Sequence, residues 1–406
     1  MVVKPVIGNF IWNIIEKFLR ALFMLLINVL LVASYSYEKF GEYAFSLIVV
    51  NLLSVGVSFG FSQSGNSEII GKRGVPCKQK IGKIFVTKLW VLCFVLSATI
   101  FIAIMYEQPF LVYLIGLLAL PLSETFEYRL NFHGKSKSYV KIKVLLLLSG
   151  FGCKFIALEL GVGLEAIGII TSIEAILILV IYYISLPRLK FQFYSWFDFS
   201  LARKMLPIAL ASSIVIVFNQ IDILFIKGEV NLYSIGLYIT IAQLCNTFAI
   251  IPVLLNSAVQ GQLRNTQLKN KLIFHSYIKR LFILYSFFGI SISLLLYKYG
   301  DIIYGVFYQS NVEYSHLIVD VFGIYSMSVM FFFVSVFINM NLVLRSMNSI
   351  ILLKNIFSVI IALILLSFFV DGYSLKGAAF SFVLAQLLGQ IILPLLVIMY
   401  ISKKID

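Results

Sequence analysis

Charge is scarce in this sequence. Of 406 residues only 12% are Asp, Glu, Lys or Arg, while 61% are hydrophobic, and the mean hydropathy is +1.00. So few charges cannot cover the soluble surface that this much apolar mass would need, which excludes the water-soluble domains that length alone suggests. Cysteine is scarce too. Cys77, Cys93, Cys153 and Cys245 show no CxxC or metal-ligand spacing, and none falls in a loop assigned to the external face, so a disulfide framework is excluded. His133, His275 and His316 are scattered, without a metal-binding pattern. Nucleotide motifs are missing as well. The nearest, Gly65-Asn66-Ser67-Glu68-Ile69-Ile70-Gly71-Lys72-Arg73, has one spacer too many and Arg where Ser or Thr should hold magnesium. Gly161-Val162-Gly163 lacks the strand context of a dinucleotide fingerprint.

What the sequence does have is long apolar runs. A bilayer core of about 30 Å needs roughly 20 apolar residues per helix. Twelve runs qualify, at 11–34, 40–61, 84–105, 110–130, 142–160, 166–186, 206–226, 235–258, 281–297, 316–340, 350–370 and 377–401. The expected architecture is an all-α integral membrane protein with twelve transmembrane helices. The first run has no cleavage-like end and exceeds a signal-peptide core, so it is expected to stay in the mature chain. Pro109 and Pro207 fall near span starts, where a missing N–H is harmless, whereas Pro121, Pro252 and Pro394 lie inside spans and should kink them.

Orientation follows from the basic residues. With the N-terminus inside, 23 of the 32 Lys and Arg fall in cytoplasmic segments, Lys354 among them, and only Lys39, Lys227, Lys298 and Lys376 fall outside. That asymmetry places both termini in the cytoplasm. The formal charge of +14 is then explained by cytoplasmic loops and anionic headgroups rather than by nucleic acid. The longest external connection, 298–315, leaves no room for a catalytic domain outside the membrane.

The two halves echo each other. Gly41, Tyr43 and Asn51 open the second span, and Gly236, Tyr238 and Asn246 open the eighth at the same offset. A parallel repeat is expected: an N-terminal six-helix bundle (1–186), a cytoplasmic linker (187–205) and a C-terminal six-helix bundle (206–406).

At these residues the chain resembles a known family. Ile11-Trp12-Asn13 through Arg20 to Tyr37-Glu38-Lys39-Phe40-Gly41-Glu42-Tyr43 is similar to the first hairpin of bacterial polysaccharide flippases of the multidrug/oligosaccharidyl-lipid/polysaccharide exporter superfamily. The Gly-Pro common in that family's turn is absent. Ile221-Asp222, Gly236-Leu237-Tyr238, Ala242-Gln243, Ile251-Pro252 and Gly377-Ala378-Ala379 to Gln386 extend the likeness. The resemblance implies two bundles around a central cavity that opens alternately to each face. It implies an undecaprenyl-pyrophosphate-linked oligosaccharide as cargo and, from chain length and texture, the O-antigen branch of lipopolysaccharide synthesis in the bacterial inner membrane. A cationic cavity would take the pyrophosphate while the prenyl tail stays in lipid. Polymerase and chain-length regulator are the implied partners. No cofactor is expected, and without an ATP motif the energy would come from an H+ or Na+ gradient, product pull, or both.

Charges inside apolar spans are costly, so each needs a reason. Arg20, four residues after Glu16, either faces the cavity to bind phosphate or snorkels to cytoplasmic headgroups. Glu124 and Glu127, with Arg129 close by, follow Pro121; they form a polar pocket or coupling-ion site, or else a helix end in water. Lys154 and Glu174 lie at similar depth on neighbouring antiparallel spans, which suggests an interhelical ion pair. Asn219 and Asp222 share a face at i,i+3 beside Gln220, for sugar hydroxyls, a cation or a polar clamp between helices. Asp320 and Lys88, near span ends, are expected in water. Three other functions compete. A drug exporter of the same superfamily needs an acid-dominated cavity, and a membrane-embedded glycan polymerase or ligase needs a large external loop. A major-facilitator sugar porter needs a signature of which Gly71-Lys72-Arg73-Gly74 is only a partial likeness.

Overall fold

The computed structural model describes residues 3–61, 78–106, 108–132, 136–185, 198–256, 259, 263, 271–308, 315–345, 347–397 and 399. The motif-like segment 65–73, linker residues 187–197, Cys77 and His133 lie outside the described residues. The helices are α1 (Val3–Ser34), α2 (Tyr37–Ser58), α3 (Lys78–Met105), α4 (Pro109–Tyr113), α5 (Leu120–Phe132), α6 (Ser136–Glu159) and α7 (Leu164–Ser185). They continue with α8 (Phe199–Phe218), α9 (Ile221–Ile226), α10 (Leu232–Phe248), α11 (Lys271–Phe307), α12 (Ser315–Leu344) and α13 (Asn348–Ala385). A 3-10 turn (Ile115–Ala119) precedes α5, and a π-helix (Gln386–Ile392) extends α13. Among the described residues there is no strand.

Among the described residues, eight helical stretches are long and apolar enough to cross a membrane. One of them, Ser349–Val397, covers two of the predicted spans and bends at Ser374, where φ is 51°. The predicted spans 11–34, 110–130 and 142–160 are helical as well, the second of them in pieces. Large apolar side chains such as Phe94, Phe101, Ile104, Leu145, Phe287 and Phe368 stand exposed on the helices, a surface that water does not tolerate and lipid does. This is a multi-pass membrane protein.

Two compact units divide the chain, each discontinuous in sequence: Met1–Ile27 with Glu42–Ile216, and Asn28–Gly41 with Val217–Asp406. Residues 199–205, placed in the linker by sequence, are the first turns of α8. Pro207 therefore lies inside that helix and not at its start, a correction that follows from the helix beginning about two turns earlier than its apolar run.

The three interior prolines each follow a departure from α-helical geometry: the 3-10 turn before Pro121, the turn at Ala249 before Pro252, and the π-helix before Pro394. A proline ring clashes with the carbonyl four residues earlier and removes one N–H, so the helix must rearrange on its N-terminal side. In unit 1 the groups freed by the α4–α5 interruption are taken up by Ser172 on α7. Its hydroxyl donates to the Tyr113 carbonyl at 2.6 Å and accepts from the Gly116 N–H at 3.1 Å. In unit 2 the repeated glycines meet. A Cβ on Gly41 would stand 2.6 Å from the Leu232 carbonyl oxygen, and one on Gly236 would collide with the Tyr37 carbonyl. Only glycine allows that backbone approach.

Candidate substrate-binding residues

Unit 1 gathers most of the intramembrane charge. Lys88 on α3 is 0% exposed; its Nζ donates to Glu124 Oε2 at 3.0 Å and to the Pro121 carbonyl at 2.6 Å. The expectation that Lys88 is solvated is thus corrected. Helix α3 starts at Lys78, which puts Lys88 about 15 Å along it. Glu127, one turn beyond Glu124, accepts from Lys143 Nζ on α6 at 3.1 Å, and the same ammonium lies 3.3 Å from Glu16 Oε1 on α1. Glu16 also accepts from Arg20, through Nη2 at 2.8 Å and Nε at 3.2 Å. Three carboxylates and three cations therefore run across α1, α3, α5 and α6, and their charges cancel. Arg20 ends the series with its side chain 41% exposed, so it retains donors that face outward from the pair.

Glu124 also lines a pocket of about 340 Å³ with Ser54, Ser58, Ser212 and the Pro121 ring. Arg129 lies on α5, and its side chain is outside the described residues. Lys154 Nζ donates to Glu174 Oε2 at 2.8 Å between α6 and α7, both side chains being 13% exposed. A cavity lined by free cations is not what these residues make. Arg20, Lys88, Lys143 and Lys154 each have a carboxylate partner.

In unit 2 the helix expected to carry Asn219 and Asp222 on one face is interrupted between them: α8 stops at Phe218 and α9 starts at Ile221. Asn219 and Gln220 line a chamber of about 210 Å³ with Asn246, Ser328 and Gln386. Asp222 is fully buried and accepts a 2.7 Å hydrogen bond from the Tyr238 hydroxyl. Asp320, by contrast, is exposed and pairs with Lys376.

A family model described as "Polysaccharide biosynthesis protein" matches residues 35–261, more than half of the chain. The chain belongs to this family. No curated protein matches it in sequence. Among solved structures, the fold is similar to an inward-facing multidrug resistance MATE family transporter of the MOP superfamily (TM-score 0.71, 13% identity, 95% of each chain). It is equally similar to the lipid II flippase MurJ in an inward closed conformation (TM-score 0.71, 15% identity, 95% of this chain and 87% of that one). A MATE crystal structure in complex with MaL6 matches at TM-score 0.67, with 14% identity over 98% and 96% of the chains. The solved relatives are transporters and a flippase, not enzymes.

This polysaccharide biosynthesis protein also holds polar groups that sequence reasoning misplaced. Lys354, counted among cytoplasmic loop cations, is fully buried in α13, and its Nζ donates to Gln390 Oε1 of the π-helix. Gln390 Nε2 donates in turn to Asn355 Oδ1 at 3.1 Å and Ser358 Oγ at 2.9 Å. The sequence signal was available: Lys354 and Gln390 both interrupt long apolar runs, and an intramembrane amide is a natural acceptor for a lysine. Glu16 and Lys143 were readable only as separate charges, because nothing in the spacing brings α1 to α6.

Proposed function

We propose that this protein is an alternating-access flippase. It moves an undecaprenyl-pyrophosphate-linked oligosaccharide, an O-antigen repeat unit, from the cytoplasmic to the periplasmic leaflet of the bacterial inner membrane. The observation that carries this reading is the polysaccharide biosynthesis family match over 35–261 on a fold shared with a lipid II flippase. In this reading the chain crosses the membrane twelve times with both termini inside, as two six-helix bundles joined by the cytoplasmic segment that precedes α8.

Arg20 makes the first contact with the pyrophosphate. Glu16 already occupies its Nε and Nη2, so the guanidinium is held in one orientation with its other N–H groups left for phosphate oxygens. Glu16, Lys143, Glu127 and the Lys88–Glu124 pair hold α1, α3, α5 and α6 in register, and Glu124 and Glu127 are the groups through which an H+ or Na+ gradient would couple. Sugar hydroxyls meet the amides of unit 2. Surrounding membrane lipid takes the prenyl tail, and a glycan polymerase and chain-length regulator would receive the product.

A second reading, export of cationic drugs, draws on the equally good match to a multidrug transporter and on the carboxylates of unit 1. One experiment separates them. Deleting the gene should stop surface glycan and leave lipid-linked repeat units on the cytoplasmic face, without sensitising cells to cationic dyes. Normal surface glycan in the deletion strain together with dye sensitivity would favour the exporter.

A further inference from the structure

Three helices of unit 2 lose their regularity at one place. Asn219 and Gln220 occupy the turn between α8 and α9, Ala249 is the turn that ends α10, and Gln386 opens the π-helix. All four residues line the chamber of about 210 Å³. Irregular backbone within a membrane protein is tolerated where it faces a polar cavity, and π-segments gather at functional sites. Pro252 and Pro394 account for two of these interruptions, the break at Asn219-Gln220 has no proline, and all three turn toward one chamber.

The chemistry of the walls narrows what that ligand is. Asn219, Gln220, Asn246, Gln386 and Ser328 offer amide and hydroxyl groups, and among the described residues no ionisable side chain lines the chamber. Gln386 is 2% exposed, and its Oε1 is buried without a hydrogen-bond partner among the described residues. A buried amide oxygen left unpaired is costly, so a donor belongs there. Phe332 and Phe382 complete the wall. The Phe382 ring is fixed between Phe218 (centroids 5.7 Å apart) and Tyr325 (5.4 Å), so that side of the chamber is rigid before anything binds. The volume equals the liquid share of roughly seven waters, the room of one pyranose ring with its hydroxyls.

We infer that the Asn219–Gln220–Asn246–Gln386 chamber of the C-terminal unit is a binding site for one neutral sugar residue of the lipid-linked glycan, with Gln386 Oε1 accepting from a sugar hydroxyl. The inference rests on the flippase reading above and adds where the sugar binds and that it is uncharged. An anionic sugar such as a uronic acid would meet no cation in the chamber and would be excluded by its desolvation cost.

The test uses the full-length protein in lipid nanodiscs and two probes: undecaprenyl pyrophosphate, and the same lipid carrying a single neutral hexose. Wild type is expected to bind the hexose-bearing lipid about tenfold more tightly than the bare one, the worth of one or two net hydrogen bonds. Asn246→Ala and Gln386→Met should remove that preference and keep the affinity for the bare lipid. Asn246 is exposed, so its truncation keeps the test valid if Gln386→Met fails to fold. Equal binding of both lipids by wild type, or an undiminished preference in Asn246→Ala, overturns the sugar site and leaves the flippase reading intact. A chamber that holds only water gives that same equal binding. Failure of wild type to bind either lipid saturably refutes the flippase reading itself.

Discussion

Replacing Glu124 by Gln removes the carboxylate that accepts from the buried Lys88 ammonium and leaves its bond to the Pro121 carbonyl in place. Removing one partner of a buried ion pair costs about 3–5 kcal/mol. Glu124 is 34% exposed, so solvent screening reduces the expected loss to about 2 kcal/mol. In a unit of this size that lowers the melting temperature by roughly 4–8 °C. Lys88→Met should be milder, about 1 kcal/mol, because the Glu124 carboxylate it strands can still reach water through the pocket it lines. The double variant should recover most of the loss in Glu124→Gln, giving a coupling energy of about 2 kcal/mol. The assay is thermal unfolding of purified protein in one detergent, followed by fluorescence and size-exclusion recovery. A Glu124→Gln protein that melts with wild type, or a double variant that melts below both singles, would refute the buried-pair argument.

Four further outcomes are expected. Gly236→Ala forces a Cβ into the Tyr37 carbonyl and should reduce folded yield and melting temperature far more than Gly305→Ala, where a Cβ meets nothing; equal effects would discard the close approach. Lys83 Nζ donates to Asp198 Oδ2 at 2.8 Å, and this bond, with those from Ser200 and Leu201, holds the Asp198 carboxyl down at about 2. Its stabilisation is complete above the unfolded value of about 4 and fades as pH falls through about 2. Thermal melts from pH 5 to pH 2 should therefore show wild type ahead of Lys83→Met at pH 5 and the two converging at the acid end, whereas a constant gap contradicts the linkage. Gln390→Leu strips the buried Lys354 ammonium of its acceptor and should lower the melting temperature more than Lys354→Met, a ranking that a melt of the two variants checks. Arg20→Ala should abolish glycan export at normal membrane abundance while Arg20→Lys keeps part of it, as measured by complementation of surface glycan; a fully active Ala variant removes Arg20 from the mechanism.

Much of the helical layout is visible in the sequence because an apolar run long enough to span lipid has few other uses. The interior prolines announced the irregular segments, since the ring clash acts locally. The pairing of Lys154 with Glu174 followed from counting depth on adjacent helices. Depth failed for Lys88, Pro207 and Lys354 because α3, α8 and α13 begin well before, or pack more tightly than, their hydropathy implies. The break at Asn219-Gln220 carries neither glycine nor proline, so the i,i+3 face drawn through it had no warning sign. The Glu16–Lys143 contact joins residues far apart in sequence, and single-sequence spacing contains no information about which helices become neighbours.

The central claim is that the cargo is a lipid-linked glycan. Its most direct test reconstitutes the purified protein in proteoliposomes with a fluorescent undecaprenyl-pyrophosphate oligosaccharide in the inner leaflet and follows quenching by an impermeant reductant outside. The account predicts protein-dependent exposure of the labelled lipid, lost in Arg20→Ala, and no uptake or release of cationic dyes by the same vesicles. Dye transport without any movement of the labelled lipid would contradict it.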